Sequence, residues 1–175
     1  QHVSFSADLK VNVERIESQN LLALLPGTTH PEETIMVSSH WDAYGQGEPD
    51  AMGRTVRPGA NDDALGTAGV VELARVFKSS APMARSVVFA VWTAEESGLL
   101  GSAAYAANPI YPVATTVANF TLDILQTAGL ARDVILIGEG QSDLEDDLWR
   151  AAAAQGRVLT PESLPENGLF FRADH

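Results

Sequence analysis

The sequence predicts an α/β protein: a three-layer α/β/α sandwich with a mixed, mostly parallel central sheet and an antiparallel edge hairpin. Three observations carry this prediction. The runs Val87-Val88-Phe89-Ala90-Val91-Trp92 and Val134-Ile135-Leu136-Ile137 are apolar without alternation, as strands buried on both faces are. Strand-like runs alternate with helical patterns, which gives parallel strands with helices on both faces of the sheet. Finally, His40, Glu95, Glu96 and Asp123 all fall near the ends of such runs, at the sheet edge where ligands bind in this architecture.

Taken in order, Leu9, Val11 and Val13 alternate with polar neighbours, the pattern of a half-buried strand. After the turn at Ser18-Gln19-Asn20, Leu21 to Leu25 is a second strand closed by Pro26-Gly27, and the pair reads as the edge hairpin. Thr34 to Ser39 is a largely apolar strand that delivers His40, and Trp41 to Pro58 is a long loop rich in Gly and Pro; a loop of that length is functional or disordered. Val70, Leu73, Ala74 and Phe77 recur at helical spacing, which predicts a helix from Ala64 to Lys78. Val87 to Trp92 is a central strand, Ser97 to Ala107 a helix, Val117 to Leu125 a third inner strand and Val134 to Ile137 a fourth. Ser142-Asp143-Leu144-Glu145 has the form of a capping box. The helix behind it carries Leu144, Leu148, Ala151 and Ala152 on its inner face and stops at Gly156.

The chain is organised around Pro58-Gly59-Ala60-Asn61-Asp62-Asp63-Ala64-Leu65-Gly66. Here a Pro-Gly turn leads into two adjacent carboxylates and then a helix. Asp63 is the natural N-cap, its oxygen accepting from free N–H groups of the first turn. One cap needs one carboxylate, so Asp62 is left over. An acidic helix start is the plain alternative, since the helix dipole favours it.

Composition narrows the function. Acidic residues outnumber basic ones 23 to 11, a net charge of −12, which argues against nucleic acid or an anionic membrane as partner. With no cysteine there is no disulfide and no thiolate metal site, so any metal must be held by His, Asp and Glu. Four acidic residues and a histidine at one sheet edge repel unless a cation joins them, and oxygen and imidazole donors suit zinc, then manganese or cobalt. Each residue also has a plainer explanation: His40 as a satisfied histidine, Glu95-Glu96 as an acidic first turn, Asp123 as a backbone cap.

The motifs Ser38-Ser39-His40-Trp41-Asp42, Gly59-Ala60-Asn61-Asp62-Asp63-Ala64, Thr93-Ala94-Glu95-Glu96-Ser97-Gly98, Leu122-Asp123 and Arg172-Ala173-Asp174-His175 resemble, in order, those of the co-catalytic dizinc aminopeptidases. That family also holds glutamate carboxypeptidases, glutaminyl cyclases and the metal-free transferrin-receptor ectodomain. The resemblance runs from about Asn20 to His175. It implies two zinc ions, with Asp62 bridging them, His40 and Asp123 completing one site, and Glu96 and His175 the other. It implies Glu95 as general base, Asp42 as the partner that fixes the tautomer of His40, and Asp63 as support for Asp62 through a strained peptide bond. Ala173 and Leu65 stand where the family commonly has serine.

The activity this implies is removal of N-terminal residues from peptides by a secreted or periplasmic enzyme, with no nucleic-acid or membrane partner. A carboxypeptidase would need a cationic clamp, for which Arg54 and Arg57 in the long loop are the candidates, with solvated loop charges as their alternative. A glutaminyl cyclase and a non-catalytic binding relative are the other readings. Gln1 does not look like a natural start, and residues 1–175 are expected to be one metallopeptidase catalytic domain, incomplete at both ends.

Overall fold

The computed structural model describes residues 3–175. Its elements in chain order are β1 (Leu21–Leu25), β2 (His30–His40), β3 (Gly45–Gln46), β4 (Val56–Arg57), a wide turn at Ala60–Ala64, α1 (Leu65–Ser79), β5 (Arg85–Trp92), α2 (Leu100–Ala107), β6 (Thr116–Thr121), β7 (Asp133–Leu136), α3 (Leu144–Ala154) and β8 (Val158–Pro161). The main sheet has the order β1-β5-β2-β6. Its three strands β5, β2 and β6 run parallel, and β1 lies antiparallel against β5.

Successive residues of a strand face opposite ways, and the two central strands bury both faces. On one face Met36, Val88, Ala90 and Trp92 pack with Tyr105 of α2, the Trp92 and Tyr105 rings lying 5.2 Å apart. On the other, Val37, Val87 and Phe89 pack with Val70 of α1 and with Leu73, Ala74 and Phe77 around it. This is the mixed α/β/α sandwich that the unalternating strands required, and α1 ends one residue from its expected boundary.

Several elements differ from the sequence reading. Residues 9–13 form no strand, and Leu9, Val11 and Val13 are 79%, 73% and 89% exposed. Alternation gives a segment two chemically distinct faces, but a strand also needs a ladder partner, and β1 takes its antiparallel partner from β5. The antiparallel hairpin of this chain is β3 with β4, inside the long loop. The helix read from Ser97 starts at Leu100 because Ala94, Gly98 and Leu99 hold left-handed backbone, which turns the chain before the helix can begin.

The strand read as Val117 to Leu125 ends at Thr121 and is an outer strand, with Val117 and Phe120 about half exposed. Apolar content does not separate outer from inner strands. The fourth strand, β7, pairs in parallel with β8 in a separate two-stranded sheet; β8 was not foreseen, being short and ending in proline. Beside it, α3 buries Ala152 and half-buries Leu144 but leaves Leu148 and Ala151 exposed, since two strands offer a helix little surface. Its capping box forms with both arms, Ser142 Oγ accepting from the Leu144 N–H and Glu145 Oε1 from the backbone N–H groups of Gly140, Gln141 and Ser142.

No helix among the described residues is long and apolar enough to cross a membrane.

Candidate metal centre

Because β5, β2 and β6 are parallel, their C-terminal ends open on one edge. β2 delivers His40 there, in register with Trp92. β5 runs on into the turn holding Glu95 and Glu96. After β6, the Leu122 N–H donates to the Ser38 carbonyl at 2.7 Å, which carries the chain alongside β2 and puts Asp123 at the same edge.

His40 is 1% exposed. Its Nδ1 lies 3.1 Å from the Asp42 carbonyl oxygen and 3.5 Å from Asp42 Oδ1. Its Nε2 lies 3.0 Å from Asp62 Oδ1, 3.8 Å from Glu95 Oε2 and 4.0 Å from Asp123 Oδ1. Burial pulls the imidazole toward neutrality, but the surrounding charges of Asp63, Glu95, Asp123 and Asp42 outweigh it and hold the ring above its ordinary value. Positive charge at this point is what the carboxylates favour.

Asp63 is buried, with Oδ2 accepting from the His40 N–H at 3.0 Å and Oδ1 from the Gly66 N–H at 2.9 Å. It therefore caps the first turn of α1, as its position predicts, and also pins the end of β2. Gly66 makes room for this: a Cβ there would lie 2.1 Å from Asp63 Oδ1. Gly59, at φ +62°, opens the turn where a Cβ would meet Ala43 and the Asp62 carbonyl. The Asp62–Asp63 peptide bond is cis. Burial raises the Asp63 carboxyl to about 6 despite its two N–H donors and His40.

Asp42 grips the neighbouring turn, Oδ1 accepting from Glu95 N–H at 3.0 Å and Oδ2 from Glu96 N–H at 3.2 Å. The Glu95 side chain is 11% exposed. Burial pushes its carboxyl up to about 7, with Asp174, Asp123 and Glu96 adding to the shift and His40 opposing it. Tyr44 lines the same hollow as Glu96, whose Oε1 is buried without a partner.

His40, Asp62 and Asp123 bring one ligand atom each within 4.8 Å of one another. Neither Glu96 nor His175 completes a second such group among the described residues. His175 is exposed, its ring edge-on to Phe170 at 4.7 Å. The other group of this kind, His30, Glu32 and Glu33, is mostly exposed, and Glu33 is paired with Arg85. The donors at the strand ends fit a divalent cation: they are imidazole and carboxylate only, they crowd one imidazole, and one buried carboxylate oxygen stands unpartnered.

Asp62, Glu95, Glu96 and Asp123 line a cleft of about 720 Å³ together with Ile124, Ile137, Leu169, Phe171 and Arg172. Arg54 and Arg57 are engaged in their own loop. Arg54 Nε donates to Asp50 at 2.8 Å, and Arg57 donates to the carbonyls of Arg54 and Glu48. For Arg54 that is the loop-charge alternative rather than the clamp, whereas Arg57 also lines a smaller hollow with Asp62 and Glu96. Sequence reasoning missed Tyr44 and Asp174. The first sits in the loop without pattern around it, and the second is a buried carboxylate (8% exposed) whose position beside His175 was its only signal.

A model of peptidase family M28 matches residues 20–175. A probable zinc metalloprotease of Pyricularia oryzae is 40% identical over 89 residues, covering 50% of this chain and 17% of that protein. An aminopeptidase of Bacillus subtilis is 30% identical over 140 residues, covering 78% of this chain and 28% of that protein. The solved structure of a zinc aminopeptidase from Bacillus subtilis is similar with a TM-score of 0.63 and 28% identity, over 90% of this chain and 36% of that one. The chain thus spans less than a third of the length of these two curated relatives.

Proposed function

The chain belongs to peptidase family M28, and on that footing we propose that it carries the catalytic centre of a zinc-dependent aminopeptidase, an exopeptidase that removes N-terminal residues from peptides. The observation that supports it most is the buried His40 ring with Asp62, Glu95 and Asp123 within 4.0 Å of its Nε2. Uncompensated carboxylates at this density are costly, and a cation is the economical solution. We assign His40 and Asp123 to one zinc, Glu96 and His175 to a second, and Asp62 to both.

When bound, zinc supplies Lewis acidity toward a water molecule and the scissile carbonyl. The remaining work falls to the chain. Glu95 is the general base: a carboxyl raised to about 7 by burial sits where proton affinity is matched to neutral pH. It takes a proton from the attacking water and returns it to the leaving amine. Asp42 holds Glu95 and Glu96 in place through their backbone N–H groups and hydrogen-bonds His40 Nδ1, which turns Nε2 toward the site. Ile124, Ile137, Leu169 and Phe171 give the cleft apolar surface for the peptide to lie against.

Metal analysis of the dialysed full-length protein tests this reading. Two zinc ions per chain are expected, falling on Asp62→Asn. A protein without metal, or an Asp62→Asn variant with unchanged content, would overturn it.

A further inference from the structure

The segment that ends in His175 is held by side chains from two other parts of the chain. Ser102, in the first turn of α2, has its hydroxyl within reach of the Leu99 carbonyl at 3.1 Å and, more closely, of Asp174 Oδ1, the charged and nearer acceptor of its one proton. Asn119, on β6, donates from Nδ2 to the backbone oxygens of both Asp174 and His175, each at 3.3 Å. The His175 ring stands edge-on to Phe170, and Phe170 in turn fills the space where a Cβ on Gly138 would lie, 2.2 Å from its Cδ2. Asp174 itself is 8% exposed, and its Oδ2 has no partner.

Burying a carboxylate with one oxygen unsatisfied is costly, so a fold that needed only to close its surface here would be served better by an apolar residue. The contacts also have a direction. Ser102 lies one turn after the segment that carries Glu96, and Asn119 lies on the strand that delivers Asp123 and pairs with the strand that delivers His40. The clasp therefore ties His175 to the elements that supply the other ligand candidates, through the backbone and a neighbouring carboxylate rather than through its own imidazole.

We propose that Ser102 and Asn119 are positioning residues that, by gripping Asp174 and the backbone of His175, set where the His175 imidazole can meet the second zinc. This rests on the reading of His175 as a ligand. A metal ligand works only when its own geometry is fixed by neighbours, and loss of such a neighbour costs about 10–100-fold in metal affinity. Neither residue touches substrate in this scheme, so their loss acts on metal retention first.

The test uses the full-length protein loaded with zinc and titrated with a chelator. Wild type should retain two zincs. Ser102→Ala and Asn119→Ala should each release one of them at about tenfold lower chelator concentration, the other zinc being released as in wild type. Their kcat should fall with KM little changed, and Ser102→Thr, which keeps the hydroxyl, should restore retention. Two variants on different elements guard against one of them failing to fold, and melting of the zinc-free proteins checks this directly. Wild type holding two zincs with both variants releasing them at the wild-type chelator concentration overturns the clasp alone. Wild type holding a single zinc overturns the clasp together with the reading of His175 beneath it.

Discussion

Replacing Asp63 by alanine removes the acceptor of two buried backbone donors, the N–H groups of His40 and Gly66. Each buried donor left without a partner costs about 1–3 kcal/mol, so the pair sets a gross penalty of about 2–6 kcal/mol. Against this stands the burial of the carboxylate itself. Its pKa rises from 3.8 to about 6 on folding, and at 1.36 kcal/mol per unit that is about 3 kcal/mol once the group is ionised in both states. The sign follows from linkage. A carboxyl raised by folding contributes stability that is fully present below its unfolded pKa and is lost as pH rises through its folded pKa. Asp63→Ala should therefore be most damaging at pH 4 and below, and less so, by about 2 kcal/mol from its pH 4 value, near pH 7. Urea unfolding of the chelated full-length protein and its variant across this range measures the difference. A penalty that grows with pH, or one below about 0.5 kcal/mol at the acid end, would refute the two-donor account.

Other consequences follow from the same geometry. Glu95→Gln should keep its zinc and lose turnover by about 10²–10⁴-fold, the range for a lost general base, whereas Glu96→Gln should weaken metal retention; metal analysis beside steady-state kinetics separates the two, and the reverse pattern would exchange their roles. Gly66→Ala puts a Cβ 2.1 Å from Asp63 Oδ1, and should destabilise by about 1–3 kcal/mol or more, as overpacking does, read from the urea midpoint. Chelation should lower Tm more above pH 7 than near pH 5: burial raises the folded Glu95 carboxyl from 4.5 to about 7, so the metal-free protein loses stability as pH rises through that range. Equal effects at both pH values would refute this linkage.

The central strands and α1 were legible in the sequence because their physics is local. Six consecutive apolar residues from Val87 to Trp92 need two covered faces, and Val70, Leu73, Ala74 and Phe77 fall on one side of a helix. The strand ends were legible for a topological reason: parallel strands must open on one edge, so His40, Glu95 and Asp123 had to come near one another whatever the loops did. What failed depended on partners. Leu9 to Val13 has the pattern of a strand and no ladder, and Val117 to Leu125 has the composition of an inner strand but lies outermost. The helix read from Ser97 starts later, because the positive φ of Ala94 and Leu99 makes a turn of the segment that holds Glu95 and Glu96. The contacts at Asp174 link residues 72 and 55 positions apart, and no periodicity encodes those.

Hydrogen bonding separates carboxylates that the sequence presents as equals. Asp62 and Asp63 are adjacent and both precede a helix, yet Asp63 uses both oxygens on backbone N–H groups. Asp42 likewise gives one oxygen to Glu95 N–H and the other to Glu96 N–H. These two spend their charge on the ends of β2 and on the turn after β5, and have little left for a cation. Asp62 meets the His40 ring with a single oxygen, Asp123 accepts only from the backbone N–H of its own neighbour, and Glu96 keeps one buried oxygen without any donor. A carboxylate buried or half-buried with an unspent oxygen is stable only if something positive completes it. The same accounting sets Asp42 and Asp63 apart as supports and leaves Asp62, Asp123 and Glu96, together with Glu95 and Asp174, with oxygen to spare, and it does so without appeal to any relative.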